Sequence, residues 1–502
     1  AALLALMVSI GAGKDGFDID EFFTYGLANS YQQPFLSTQT GSWISGKAFS
    51  DYLTAKGHAH EYLNVYENQI ADVHPPLYYL FMHAVCSAFQ NPPFTKWTGI
   101  GLNLFFFSLT QFGLLLLSAR LLSDGEKLEL TPPALLPGLL YGLSAGAASS
   151  VVFIRMYAMM TMWAVWLALA LAELFIHGQT VWRMRALAAV LIAGFLTQYY
   201  FVILACMLCG VYFFARLARR EFETAGRFAL WCFFALALAV GLFPWCLNHI
   251  FGGYRGRGAI ESAAGVRLND MIRWFKILWQ TLDAQQFGGF LLALVLIGAA
   301  LAFWPLKKAG QELKRGAAFS LWALLACGAY VLVISVISPY KVDRYIFCVY
   351  PLVTVALFML FARGGCRFGS RRGSACLLAC AVLAACGARV NRDQQVHYLY
   401  PGDSAYVAAC EENAALPCVL LGTNDMTQNT LELAAFERVY MLNADDAQGV
   451  APALEALDEK PDGFILFERY HDEANVETVL RETGLESAEL LFEHQYHVYW
   501  VH

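Results

Sequence analysis

Residues Phe228 to Leu247 read FALWCFFALALAVGLFPWCL, twenty positions without one charged side chain. About 17 to 20 apolar residues cross the hydrocarbon of a bilayer as a helix, and only a helix or a closed barrel satisfies its own backbone polar groups there. Comparable runs follow at about 99–119, 132–153, 156–176, 185–198, 199–215, 286–305, 317–337, 344–362 and 374–390. Ala1 to Gly11 reads as the outer end of a first helix or as a shortened signal peptide. The expected fold is therefore an α-helical polytopic membrane domain of about eleven spans. Composition agrees: 15% of the 502 residues are charged and 58% hydrophobic. A soluble domain carries roughly 25% charged residues, so a purely cytosolic enzyme is excluded.

The net charge of −6 divides unevenly. Residues 1–390 hold 29 Lys and Arg against 19 Asp and Glu, whereas residues 391–502 hold 5 against 21. Two bodies are expected, a mildly basic membrane domain (1–390) and an acidic soluble domain (391–502), and neither favours nucleic acid. Short loops with Arg216, Arg219, Arg220 and Arg227, with Lys307, Lys308, Lys314 and Arg315, and with Arg363, Arg367, Arg371 and Arg372 belong in the cytoplasm by the positive-inside rule. Alternation then places the loops 14–74 and 248–285 and the acidic domain on the extracytoplasmic side. Under that count residues 75–90 cannot make a full crossing, so a short half-buried or re-entrant helix is expected after Pro75-Pro76; a full crossing with a miscounted span elsewhere is the rival.

Eleven of the 13 cysteines lie in or beside apolar runs, where a thiol packs as a small hydrophobe. No CxxC pair meets a second pair at zinc spacing, and no metal site or cofactor is predicted; a divalent-metal requirement is left open. Cys410 and Cys418, in the acidic domain, are the pair able to form a disulfide.

The ionisable residues that carry chemistry gather on the expected outer face. Asp18-Ile19-Asp20-Glu21-Phe22-Phe23-Thr24-Tyr25 places three carboxylates next to aromatic residues at the membrane surface. Partial desolvation and mutual repulsion there make a carboxylate a better base, and Asp20 or Glu21 can take a hydroxyl proton; the same pattern also satisfies a helix cap with an acidic first turn. In Asp72-Val73-His74-Pro75-Pro76, the prolines hold His74 extended before a helix N-terminus, which is either an anion site or a plain helix start. Arg155 and Arg344, with Lys341 nearby, stand at membrane boundaries, where a cation faces a ligand, a headgroup or a partner such as Asp343. Tyr25, Asp72, Tyr199 and Tyr200 are further candidates for lining a substrate. In the loop 248–285, a glycine-rich stretch (Gly252 to Gly258) is followed by Arg267, Arg273 and Lys276 interleaved with Trp274, Phe275 and Trp279. That second part has the form of an interfacial amphipathic helix, either a lid or a lipid-facing loop.

Taken in order, Asp20-Glu21, His74-Pro75-Pro76-Leu77-Tyr78-Tyr79, Arg155-Met156-Tyr157-Ala158, Thr197-Gln198-Tyr199-Tyr200 and Pro339-Tyr340-Lys341-Val342-Asp343-Arg344-Tyr345 resemble the bacterial glycosyltransferase family 39 proteins. These are GT-C enzymes related to protein O-mannosyltransferases and lipid A aminoarabinose transferases, and the resemblance covers about residues 1–390. It implies transfer of a sugar from a polyprenyl-phosphate donor to a hydroxyl of a lipid, glycan or protein acceptor at the extracytoplasmic face. Asp20 and Glu21 match the family's acidic pair, His74 a position near the lipid phosphate, and Arg155 and Arg344 the arginines beside the donor. Val73 stands where many relatives carry an acidic residue, and Lys96 is the nearest cation to an arginine otherwise expected at the next span. Such a donor brings its own leaving group, so cations to receive the phosphate and one carboxylate near the acceptor suffice, and direct displacement inverts the anomeric centre. The rival classes are a polyprenyl-linked glycan transporter or flippase and an inactive scaffold. No internal repeat or midplane ionisable cluster favours a transporter.

In the acidic domain, strand-like runs at 417–422, 438–442 and 463–467 alternate with helical patterns at 427–436, 450–457 and 475–483, and residues 490–501 close as a strand or hairpin. The pattern predicts a small α/β layer domain.

Overall fold

The computed structural model describes residues 1–123, 128–303, 311–365, 396–424, 426–459 and 461–502. They form two compact units: residues 1–12, 72–78 and 99–397 in one, residues 13–71, 79–98 and 398–502 in the other.

The first unit is helical. Among the described residues six helices are long and apolar enough to cross a membrane: Lys96–Leu122, Tyr157–His177, Tyr200–Ala218, Phe222–Leu242, Lys314–Ile337 and Phe347–Gly364. Val181–Thr197, expected as a span at 185–198, forms a 17-residue helix. The span expected at 374–390 lies outside the described residues. The run expected as one span at 132–153 is bent, and so is the junction between the 248–285 loop and the span expected at 286–305. Pro132–Gly142 and Ala145–Val152 meet at 66°, because Ser144 leaves helical geometry and its side chain caps a new helix at the Ala147 N–H. Leu268–Phe287 and Leu291–Phe303 meet at 82° across Gly288 and Gly289, whose φ values of 61° and 90° favour glycine. The Asp283 carboxylate fixes that corner by accepting the Gly289 and Leu291 amides. The amphipathic segment of the 248–285 loop is indeed helical over Leu268–Leu282, with Leu268 and Ile272 exposed. The glycine-rich stretch before it is not an open loop, because Tyr254–Gly265 is a helix.

Ala145–Val152 is buried along its whole length and contains only Ala, Gly, Ser and Val. A Cβ on Gly146 would stand 2.2 Å from the Tyr350 ring, so glycine is what lets the two segments approach.

The second unit is built on a six-stranded sheet in the order β1-β3-β2-β4-β6-β5: β1 Trp43–Ile44, β2 Cys418–Leu421, β3 Val439–Leu442, β4 Phe464–Glu468, β5 Ala488–Glu493 and β6 His497–Val501. The central β3, β2 and β4 run parallel; β1, β6 and β5 pair antiparallel to their neighbours. A parallel strand covered on both faces reads as an unbroken apolar run, as the fully buried Cys418-Val419-Leu420-Leu421 does. Val419, Leu421, Leu442, Val450, Leu454, Phe464, Leu466, Val479 and Val501 form one core layer. The predicted strands and helices of this domain are present, with the closing element resolved as the β5–β6 hairpin.

Residues of the first loop belong to this same unit, which a boundary near residue 390 does not anticipate. Trp43 and Ile44 pair with Tyr440 and Val439, and the Trp43 indole N–H donates to the Ala453 carbonyl at 3.0 Å. Gly41, at φ 88°, turns the chain so that its amide reaches the Met441 carbonyl. This short strand covers an edge of the sheet that would otherwise expose unpaired backbone. The expected short helix after Pro75-Pro76 is Leu77–Ala88, twelve residues. Cys410 and Cys418 keep separate, buried thiols and pack as small hydrophobes; no disulfide joins them.

Candidate functional site

In the helical unit, the chain that leaves Ala145–Val152 is held by Asn103, whose amide donates to the Val151 and Phe153 carbonyls at 3.1 and 2.7 Å. The Asn103 side-chain oxygen accepts the Tyr78 hydroxyl at 3.0 Å. This network sets the extended Phe153 before Arg155, which is 3% exposed. The Phe153 ring stacks on Tyr157 with centroids 5.9 Å apart. The Arg344 guanidinium lies 5.4 Å from the Phe153 ring centroid and 5.7 Å from that of Tyr345. Tyr345 meets Tyr157 and Tyr200 edge-on, at 6.1 and 5.2 Å. Phe153, Tyr157, Tyr200 and Tyr345 thus form one aromatic wall beside Arg344, and Arg155 lies in the chain between two of its rings.

Asp72 is coupled to Arg155 by charge and to His74 by a direct contact. His74 Nδ1 stands 2.8 Å from Asp72 Oδ2. Burial alone raises the Asp72 carboxyl, but the charge and hydrogen bond of His74 and the charge of Arg155 outweigh it and hold the group below its ordinary range. Asp72 thus remains a carboxylate, one that keeps His74 oriented within reach of Arg155's field. Asp72 also interacts electrostatically with Tyr199, whose hydroxyl is 3.0 Å from His249 Nδ1. Of the candidates, Asp72, His74, Arg155, Tyr199, Tyr200 and Arg344 form a connected group. Lys341 is engaged elsewhere: its amine bonds the Ser338 carbonyl and lies 4.4 Å from the Trp274 ring centroid, with burial lowering its pKa.

The acidic motif lies in the second unit. Asp18 caps the helix Ile19–Asn29, accepting the Asp20 amide, and Glu21 completes a capping box by accepting the Asp18 N–H at 2.7 Å. Glu21 is fully buried and paired with fully buried Lys14 at 2.9 Å. Lys14 also donates to the Tyr398 carbonyl at 2.7 Å. Tyr400 donates to Asp18 Oδ2 at 2.9 Å, so the C-terminal segment braces the motif. Asp20, one residue before Glu21, is half-buried on the first turn. Tyr25 is 1% exposed, and its hydroxyl is bonded to Thr95 and Thr98, which makes it part of this unit's packing. Lys96 bonds the Lys14 carbonyl.

Sequence reasoning did not single out a second cluster in the helical unit, formed by Asp343, His397, Gln285 and Tyr350. Asp343 Oδ2 is 2.7 Å from His397 Nδ1 and accepts the Gln285 amide at 2.8 Å, while Tyr350 donates to Gln285 Oε1 at 2.8 Å. Among the described residues no group of three or more His, Cys, Asp or Glu is arranged to hold a metal ion.

No protein-family model and no curated protein matches the chain. Among solved structures it is similar to ArnT from Cupriavidus metallidurans bound to undecaprenyl phosphate, at 10% identity and a TM-score of 0.48, over 99% of this chain and 97% of that one. It is also similar to the apo oligosaccharyltransferase of Archaeoglobus fulgidus, at 10% identity and a TM-score of 0.49, over 96% of this chain and 68% of that one. Both of those proteins belong to the GT-C superfamily.

Proposed function

We propose that the chain is a GT-C-type membrane glycosyltransferase that moves a sugar from a polyprenyl-phosphate donor to an acceptor hydroxyl, at the extracytoplasmic face and with inversion. The observation that carries this reading is the union of His74, Arg155 and Arg344 with Tyr157, Tyr200 and Tyr345 in a helical, membrane-competent unit. Two guanidiniums and an imidazole beside an aromatic wall suit a sugar phosphate: the rings take the sugar face, and the cations take the charge that grows on the phosphate as its bond to the anomeric carbon breaks. The leaving group needs no proton, so the remaining demand is a base for the acceptor hydroxyl as its oxygen forms the new bond to that carbon.

Asp20 is assigned that role. Glu21 is the weaker choice, because its carboxylate is already committed to Lys14 and to the Asp18 amide. Asp72 serves His74, and Lys341 is assigned to the headgroup region rather than to the leaving phosphate. The second unit, in which Tyr400 and Gln428 brace the acidic motif, is proposed to recognise the acceptor.

The test is sugar transfer or hydrolysis from a panel of radiolabelled polyprenyl-phosphate sugars by the purified chain. Asp20→Asn is expected to lower turnover about 10²–10⁴-fold with donor binding retained, the span that a positioned base contributes. Arg155→Ala is expected to weaken donor binding. Donor binding without turnover on any acceptor, together with movement of the lipid across liposomes, would overturn the reading in favour of a transporter.

A further inference from the structure

The Asp343 carboxylate, 2% exposed, sits beside Arg344 in sequence, where an uncompensated negative charge would offset the arginine's. Its two oxygens are occupied in a specific way. Oδ1 accepts the backbone N–H of Arg344 at 2.8 Å, and Oδ2 receives Gln285 and His397. A 2.7 Å contact between a ring nitrogen and a carboxylate requires a proton on that nitrogen. Gln285 Nε2 also lies 3.1 Å from His397 Nδ1, but with both nitrogens donating to Asp343 this is proximity and not a bond. Gln285 is fixed in turn by Tyr350, and the His397 amide donates to Ser149 Oγ at 2.9 Å, on the helix that leads into Phe153 and Arg155. The His397 side chain is 45% exposed, so one edge of the ring meets a buried carboxylate while much of the rest is accessible.

We propose that His397 is a positioning residue for the phosphate side of the donor site: as an imidazolium bound to Asp343 it fixes the Asp343–Arg344 turn and neutralises the carboxylate next to the arginine. The inference rests on the donor-site reading above and extends it to a residue 53 positions beyond Arg344. The hydrogen bond that His397 donates to Asp343 raises the His397 pKa, burial opposes it, and the charge of Asp343 adds to the rise, so the imidazolium persists to higher pH than in a free histidine. Among the described residues, the groups on the elements packed around it include Asp343, Arg344, Gln285, Tyr350, Ser149 and Asp283, and the Asp283 carboxylate accepts the Gly289 and Leu291 amides. Because the group's pKa is raised, its effect is complete at low pH and is lost as pH rises through the folded value.

The experiment measures undecaprenyl phosphate binding to the full chain in nanodiscs from pH 5.5 to 9, for wild type, His397→Gln, Asp343→Asn, Arg155→Ala and Arg344→Ala. Thermal melting confirms that each variant is folded. Glutamine keeps a donor for Asp343 but cannot take the charge. The ligand's own second ionisation near ~6 is common to all proteins and cancels in the ratio of variant to wild-type Kd. The expected ratio for His397→Gln is about tenfold at pH 6, falling to about one at pH 9; Asp343→Asn removes the His397-dependent step. A ratio that stays near one at every pH, or that is raised equally at every pH, overturns the proposal, the second because it marks a merely structural tie. If the arginine variants lose binding while His397→Gln does not, this inference alone fails. If the arginine variants bind as wild type, the donor-site reading fails and this inference with it.

Discussion

Replacing Lys14 with methionine keeps an unbranched side chain, one atom shorter, and removes its charge. Lys14 and Glu21 are both 0% exposed, and the ammonium makes two hydrogen bonds, 2.9 Å to Glu21 Oε2 and 2.7 Å to the Tyr398 carbonyl. It also lies 5.4 and 5.2 Å from the ring centroids of Phe17 and Tyr400. In Lys14→Met the Glu21 carboxylate stays in place, because it still caps the Asp18 amide, but its counter-charge is gone. Removing one member of a buried ion pair costs about 3–5 kcal/mol, most of it the penalty of the stranded charge. That energy corresponds to about 10²–10⁴-fold faster amide hydrogen exchange where opening of this unit governs exchange. The assay is hydrogen-exchange mass spectrometry on the detergent-purified chain, following peptides over Asp18–Tyr25 and Leu399–Gly402. The double variant Lys14→Met with Glu21→Gln strands no charge and is expected to recover more than half of the loss. Acceleration below tenfold in Lys14→Met, or additive losses in the double variant, would refute the reasoning.

Two further outcomes follow from the second unit. Burial pushes the Glu432 carboxyl up to about 8, with Asp403 adding to the rise, so the folded chain holds a proton there that the unfolded chain releases above its ordinary range near 4.5. Stability of this unit should fall as pH rises between those two values and level off above 8, and Glu432→Gln should flatten that slope, read from melting temperatures across pH. Trp43→Ala removes the indole bond to Ala453 and the ring contact with Tyr440, and should cost about 2 kcal/mol. Protease cleavage within residues 37–46 should then precede the main melting transition; uncleaved loop at that point would mean β1 adds little.

What the sequence made legible follows from how far apart the signals lie. Arg155 and Arg344 stood out because an ionisable residue beside a span is costly anywhere, so each could be found alone, and the structure sets Arg344 on an aromatic wall two of whose rings, Phe153 and Tyr157, flank Arg155 in the chain. The parallel strands were readable because burial on both faces writes an unbroken apolar run. β1 left no comparable mark, since two residues in a polar loop show no period and owe their strand geometry to Tyr440 and Val439, nearly 400 positions later. Asp343 was noted only as a partner for Arg344, because the histidine it engages lies 54 residues away, across the boundary drawn from charge alone. Glu21 fits a base and a cap equally well in the sequence; buried Lys14 is what separates them. The bend at Ser144 escaped a reading based on length and hydropathy, because both halves of that pair are apolar.

The pairing of β1 with β3 also sets an order of events during biogenesis. Trp43 leaves the ribosome about 400 residues ahead of Tyr440, which at roughly 5–20 residues per second is an interval of about 20–80 s. Throughout that interval the loop carrying Trp43, Lys14 and the Asp18 cap has neither its sheet nor Tyr398 and Tyr400 to close on. The acidic helix start therefore reaches its final form only once the C-terminal strands have been delivered, and a chain whose synthesis stops before them carries its proposed base on an unfinished support.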